Sequence, residues 1–279
     1  MKSVDNTIKL VAAGSSWYTP DTWDDWNRKV LTGLGDRIDY ISIHSYWENS
    51  PDYYSYMGAS AMIFEQRIKI TTNEIEAVSA TKGFKNPIYV SVDEWGAFGR
   101  SFMNVLPVAQ SLNSFIRHAD VVRMANFTTM TSLLSSDPQK GTYKSPLFHL
   151  FKLFSNNCRG NSIDTYVTCD TFNTENYKGI PYLDVSTVYS KETNTVFVNI
   201  VNRHKDKEIT ADIISTSGEF TGKAEASLIT SDDLKAPFAF DQQSKYLPVT
   251  KEIQTKGNLL SGTFPPHSFT QIKIGITKK

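Results

Sequence analysis

Three consecutive residues, Asp93-Glu94-Trp95, close an otherwise uncharged run, PIYVSVDEWG (Pro87–Gly96). An acidic pair in such a run costs free energy unless hydrogen bonds hold one member and the other has a task. A carboxylate beside an aromatic platform suits glycoside hydrolysis, in which it attacks or stabilises an oxocarbenium-like centre. The bland alternative is a glutamate paired with a basic residue near the strand end, and position alone does not choose between them. The side chain of Asp93 is expected on the opposite face of the strand from that of Glu94.

His44 and Tyr46 lie two apart near the end of a second such run, so their side chains share one face. Either could reach a sugar hydroxyl or the Glu94 carboxylate. A core histidine with satisfied partners is the alternative for His44. A further Asn-Glu pair, Asn73-Glu74, falls inside the helical stretch ITTNEIEAVSA and reads as a surface pair. Cys158 and Cys169 are too few for a disulfide scaffold and lack metal-ligand spacing. They read as two buried thiols, with a single disulfide as the alternative.

The elements that must position these groups follow from periodicity. IKLVAAG (Ile8–Gly14), IDYISIHSYW (Ile38–Trp47), PIYVSVDEWG and ADVVRMANF are apolar runs that read as strands. Helical spacing separates them. DTWDDWNRKVLTGLG carries Trp23, Trp26, Val30 and Leu34 on one face behind an Asp21 or Thr22 cap. A stretch over Ala61–Thr81 is closed by Gly83, and VLPVAQSLNSFIRHA precedes the fourth strand. Four strand–helix alternations predict parallel β/α units, half of an eight-fold (β/α)8 TIM barrel. A doubly wound open sheet is the alternative, but no glycine-rich phosphate loop follows any strand. In β/α barrels chemistry sits at the C-terminal ends of the strands, here His44 to Trp47, Asp93 to Trp95, and the region of Asn126 and Thr129.

Near Asn161 the pattern changes to β-branched alternation broken by turn signals: DTYVTCDTF, PYLDVSTVYS, TVFVNIVNR, EITADIIS, KAEASLIT and SFTQIKIGI. This predicts an antiparallel β-sandwich. The clearest hairpin turns at Lys191–Asn194. The predicted division is residues 1–158 for the barrel half and 159–279 for the sandwich.

Bulk properties exclude several classes. Lys+Arg and Asp+Glu number 29 each, so nothing favours a nucleic acid or an anionic membrane as partner. No run approaches a membrane span, and MKSVDNTIKLVAAG has no apolar core of a signal peptide. Aromatics make up 12%, which suits a sugar site but suits a packed core at least as well.

Taken in order, these segments resemble glycoside hydrolase family 51, the α-L-arabinofuranosidases. VSVDEWG resembles the family's seventh strand, in which the Glu of Asp-Glu-Trp is the nucleophile. IKLVAAGSS is similar to its fifth strand, IDYISIHSYW to its sixth and ADVVRMANF to its eighth. SPLFHLFKLFS resembles the helix leading into its C-terminal sandwich, and DDLKAPFAFDQQSKYLPV and FPPHSFTQIKI resemble segments of that sandwich. The resemblance implies double displacement with Glu94 as nucleophile, Tyr46 donating to Glu94, His44 contacting the sugar or its neighbours, and Trp95 lining the sugar pocket. It implies no cofactor and no metal, an arabinofuranoside-containing oligo- or polysaccharide as substrate, a homo-oligomer, and a cytoplasmic location.

Two departures stand out. Thr129 occupies the place of a Gln that contacts arabinose in the family, which leaves a related retaining glycosidase of other specificity as an alternative. The family's acid/base Glu follows an Asn at the end of the fourth strand, and Met1-Lys2-Ser3-Val4-Asp5 resembles the tail of the helix after that strand. The chain is therefore expected to be a fragment without its acid/base. A non-catalytic carbohydrate-binding module, with Glu94 merely structural, is the remaining alternative.

Overall fold

The computed structural model describes residues 1–16, 23–47, 50–97, 99–128 and 130–278. By internal contacts the chain forms two compact units. One comprises Met1–Trp47, Met62–Gly96 and His118–Thr129, and the other Glu48–Ala61, Ala97–Arg117 and Met130–Lys279. This grouping differs from a division at residue 158, because the segments 97–117 and 130–158 pack with the sandwich strands.

In the first unit, strands β1 (Val11–Ala13), β2 (Tyr40–Ser45), β3 (Tyr89–Trp95) and β4 (Val122–Phe127) form a parallel sheet in that order. Ile41 and Ile43 of β2 and Val90 and Val92 of β3 are wholly buried, as expected of central strands covered on both faces. Helix α1 (Trp23–Leu34) follows β1 and buries Trp23, Asn27 and Leu31. The predicted Asp21 or Thr22 cap lies outside the described residues.

Helix α2 (Tyr53–Lys82) begins eight residues before its predicted start at Ala61. Its first turn is held by Asp52, whose carboxylate accepts from the Ser55 amide at 2.8 Å. That hydrogen bond holds the Asp52 carboxyl below its ordinary range. At the other end Gly83, in the left-handed region at φ 70°, donates to Ser79 O at 2.8 Å and stops the helix, as its position predicted.

The second unit contains α3 (Val105–Arg117), a short helix α4 (Met130–Leu133), the hairpin β5 (Leu134–Asp137) and β6 (Gly141–Lys144), and α5 (Pro146–Asn157). Ser145 caps α5 and Pro146 opens it, the pairing expected of a Ser-Pro helix start. Ten strands follow. They are β7 (Asn161–Ile163), β8 (Thr171–Phe172), β9 (Ile180–Pro181), β10 (Leu183–Ser190), β11 (Thr195–Asn202), β12 (Ile209–Ile214), β13 (Gly218–Ile229), β14 (Val249–Gln254), β15 (Leu259–Phe264) and β16 (Ser268–Lys278).

The order β14-β13-β16-β11-β10-β7 makes a six-stranded antiparallel sheet, and β12 pairs with β15 in a second. Val196, Val198, Ile200, Ile272 and Ile274 of the large sheet pack with Leu260 and Phe264 of the small one, the core of a β-sandwich. The β10–β11 hairpin turns over Lys191–Asn194, with Asn194 at φ 48°. DTYVTCDTF is a strand only at its end. Residues 164–170 form no ladder, and Val167 and Cys169 pack against the core instead. The two cysteines are free, and burial pushes the Cys158 thiol up to about 11. Among the described residues no helix is long and apolar enough to cross a membrane.

Candidate active site

The site residues of the first unit converge because β3 is bulged. In the β2–β3 register Ser42 faces Ser91 and His44 faces Glu94. Val92 and Asp93 therefore span on β3 the interval that Ile43 spans alone on β2. The β3–β4 register shows the same excess, with Val92 facing Ala125 and Trp95 facing Phe127. An inserted residue breaks strict alternation and re-aims side chains. This corrects the expectation that Asp93 points away from Glu94, since both carboxylates reach one imidazole. His44 Nε2 lies 3.0 Å from Asp93 Oδ1, and His44 Nδ1 lies 3.5 Å from Glu94 Oε2.

Tyr46 stands just past the end of β2, and its hydroxyl donates to Glu94 Oε1 at 3.1 Å. Burial pushes the Tyr46 phenol upward and its bond to Glu94 adds to this, while a hydrogen bond with Thr128 opposes it. The phenol thus keeps its proton and acts as donor at neutral pH. The Glu94 side chain is 45% exposed and His44 30%, so the group opens to solvent.

The backbone beneath is tied down. The His44 amide donates to Ser15 O at 3.1 Å. Arg67 of α2 donates to His44 O at 3.2 Å and to the Ser45 hydroxyl, with its guanidinium over the Trp23 ring at 4.8 Å. Thr128 exchanges hydrogen bonds with Trp95, its Oγ1 accepting from Trp95 N at 3.0 Å and its own amide donating to Trp95 O at 2.9 Å. The sequence singled out neither Arg67 nor Thr128. Arg67 sits on a helix far from any strand end in sequence, and a threonine in a loop carries no distinguishing signal.

Trp95 departs from its expected place. Its side chain is wholly buried, edge-on to Phe64 at 6.1 Å and to Phe127 at 5.0 Å. It supports the strand end from within and offers no ring face to a ligand. Thr129 lies outside the described residues. Asn73-Glu74 is inside α2 as predicted, but Glu74 is not a surface residue. Both its carboxylate oxygens are buried without an aligned donor among the described residues, and burial pushes the carboxyl up to about 7. Among the described residues no cluster of His, Cys, Asp and Glu is arranged to hold a metal ion.

A carboxylate at the C-terminal end of a parallel strand stands where β/α folds carry their chemistry. The family profile described as "Alpha-L-arabinofuranosidase C-terminal domain" matches residues 93–268, more than half of the chain, so the chain belongs to that family.

Individual relatives agree. The intracellular exo-α-(1→5)-L-arabinofuranosidase 1 of Bacillus subtilis is 27% identical over 300 residues, covering 98% of this chain and 60% of the relative. The exo-α-(1→6)-L-arabinofuranosidase of Bifidobacterium longum is 22% identical over 314 residues, covering 98% of this chain and 59% of the relative. Among solved structures, a family 51 α-L-arabinofuranosidase from Bifidobacterium longum superposes with a TM-score of 0.86 at 18% identity, over 98% of this chain and 60% of that one. An arabinose complex of the Thermotoga maritima α-L-arabinofuranosidase gives 0.83 at 23% identity, over 98% of this chain and 58% of that one. The chain thus spans about three-fifths of the length of these relatives, and what it matches is the C-terminal part of a family 51 enzyme.

Proposed function

We propose that these residues form the nucleophile side of a retaining α-L-arabinofuranosidase acting on arabinofuranoside-containing oligo- or polysaccharides. The observation that carries the reading is the Glu94 carboxylate held by Tyr46 and flanked by His44 at the strand end. In the first step Glu94 attacks the anomeric carbon. The bond from that carbon to the leaving oxygen breaks, and a second carboxyl group protonates the departing oxygen. In the second step that carboxylate takes a proton from water, which displaces Glu94 with net retention.

The two carboxyl groups of a retaining site stand about 5–5.5 Å apart. Asp93 is engaged with His44, and Glu74 lies within a helix, so neither is placed as the acid/base. That role falls to a group outside these residues. We further propose the family's homo-oligomeric assembly. We also propose an intracellular location, which the names of several relatives carry.

The test uses an aryl α-L-arabinofuranoside whose leaving group needs little protonation. The 279-residue chain should turn it over slowly. Loss of acid/base help costs about 10²–10⁴ on unactivated arabinan. Glu94→Gln should abolish the residual turnover. Turnover untouched by Glu94→Gln, or rapid hydrolysis of unactivated arabinan by the chain alone, would refute the assignment.

A further inference from the structure

We propose that a pocket on the sandwich, built around Tyr182 and His204, binds a neutral oligosaccharide. The pocket encloses about 690 Å³, and all its lining residues belong to the second unit, so the inference does not rest on the reading of Glu94. Pockets of about 300–1,000 Å³ hold small organic ligands, with a few placed polar groups set among apolar and aromatic side chains. Here Tyr182, His204 and Ile209 supply the apolar surface, and Asp170, Lys207 and Glu208 supply the polar groups.

The His204 ring is held in place by the protein itself. It stacks on Tyr182 with centroids 4.6 Å apart at 30°, and Phe172 packs against Tyr182 at 5.2 Å. Its Nδ1 accepts from the Asp206 amide at 3.2 Å and from the Lys207 amide at 3.1 Å. The Tyr54 hydroxyl, which accepts from the Lys205 amide, lies 3.5 Å from the same nitrogen. A protonated Nδ1 could accept none of these bonds, so the ring proton sits on Nε2. Burial lowers the His204 pKa and Lys207 adds to this, with Asp206 opposing. The imidazole is therefore neutral at neutral pH and offers Nε2–H as a fixed donor. Nε2 and the side-chain charges of Asp170, Lys207 and Glu208 have no hydrogen-bond or ion-pair partner among the described residues.

This set of groups selects the chemistry of the ligand. Nε2–H and the Lys207 ammonium only donate, and the ionised carboxylates of Asp170 and Glu208 only accept. A sugar hydroxyl does both, so neighbouring hydroxyls on one ring can satisfy donors and acceptors together. An anion would face two carboxylates against one ammonium, and a cation would face the ammonium and the Nε2–H dipole. A wholly apolar ligand would strip water from three charges without replacing its bonds. The less polar face of a sugar ring has the aromatic pair and Ile209 to lie against. Because the imidazole is already oriented, binding need not order it.

The test titrates the ¹⁵N-histidine-labelled full chain with arabinotriose and, separately, with xylotriose. The His204 ring signals are assigned by their loss in His204→Gln. The free chain should show the Nε2–H tautomer, and at least one trisaccharide should shift the His204 Nε2 signal saturably, with half-saturation on the order of 1 mM. Asp170 and Glu208 are exposed, so Asp170→Ala with Glu208→Ala should leave the fold intact and raise that concentration about tenfold or more. A His204 signal unmoved by both sugars at about 20 mM would overturn the proposal, as would an Nδ1–H ring in the free chain. So would an equal shift with inorganic phosphate, or an affinity unchanged by the double substitution.

Discussion

Replacing Asp184 with alanine should destabilise the second unit by about 3–5 kcal/mol, the cost of removing one partner of a buried ion pair. Asp184 on β10 is 5% exposed, and its Oδ1 meets Arg203 Nη2 at 2.9 Å and Arg117 Nη1 at 3.0 Å. Its Oδ2 accepts from Asn113 of α3 at 2.8 Å. Arg203 is itself 4% exposed, so the substitution takes a carboxylate at 2.9 Å away from a buried guanidinium. Two unit charges about 4 Å apart interact with roughly 4 kcal/mol at an effective dielectric of about 20. Arg117 is 30% exposed and adds less than about 1 kcal/mol after solvent screening. The Asn113 amide loses its bond to Oδ2 but keeps the backbone carbonyl of residue 184 at 3.3 Å, so it adds only about 0.5 kcal/mol. Desolvation of the aspartate, no longer required, offsets part of the sum. Two neutral bonds, from Arg203 Nε to Gln110 Oε1 and from Arg203 Nη1 to Pro181 O, would remain but cannot neutralise the guanidinium. Equilibrium urea unfolding at pH 7 measures the loss. A matched control is Glu252→Ala, which breaks the exposed Lys223–Glu252 pair at 2.7 Å and should cost no more than about 0.5 kcal/mol. The double change Asp184→Leu with Arg203→Met should recover most of the stability, since an apolar replacement removes both desolvation costs. A loss below about 1 kcal/mol for Asp184→Ala would show that Arg203 finds water or another acceptor and is not held by this pair.

Tyr46→Phe removes the bond that orients the Glu94 carboxylate, so turnover of the activated aryl arabinofuranoside should fall on the order of ten- to a hundredfold; unchanged turnover would remove Tyr46 from the site. Glu74 has a folded-state pKa raised to about 7 from 4.5, so the folded state binds its proton more tightly and the resulting stability is complete below the unfolded value and lost as pH rises through about 7. The Tm should therefore drop between pH 4.5 and about pH 7, and Glu74→Gln should flatten that slope; a slope untouched by the substitution assigns it to other groups. Strands β1 and β4 end the parallel sheet, and Ala125 and Asn126 of β4 are exposed, so the chain should self-associate with increasing concentration in size-exclusion chromatography with light scattering; a monomer at all concentrations would refute this.

The order of strands and helices was legible because each strand of the parallel sheet is a short apolar run ending in polar residues. The sandwich was legible at its long strands, where β10 and β11 carry sustained β-branched alternation around a turn that tolerates a positive φ at Asn194. The start of α2 was not, because Tyr53, Tyr56, Met57, Ser60 and Ala61 are all buried. A helix covered on several faces shows no single apolar stripe to read. The alternation of DTYVTCDTF misled for a related reason: Val167 and Cys169 satisfy the apolar pattern by packing, with no ladder partner beside them. The burial of Glu74 is not legible because an Asn-Glu pair on a helix is usually solvated, and only tertiary packing buries its carboxylate oxygens.

The local rule that failed at the site is the one on which the pairing of functional groups depends. Strict alternation along β3 would place Asp93 and Glu94 on opposite faces, and one imidazole could not meet both carboxylates. The inserted residue costs β3 part of its ladder on both sides, between Ser91 and Glu94 toward β2 and between Val92 and Trp95 toward β4. That cost is tolerable because neighbouring bonds survive: Trp95 N and O are taken by Thr128, and the His44 amide by Ser15. A bulge of this kind demands no particular residue type, so no sequence pattern announces it. Its position does have a chemical consequence, which is that adjacent residues, and not alternate ones, share a partner. Where sequence-level alternation breaks without loss of burial, as at Val92 and Trp95 on either side, the break points to the groups it brings together.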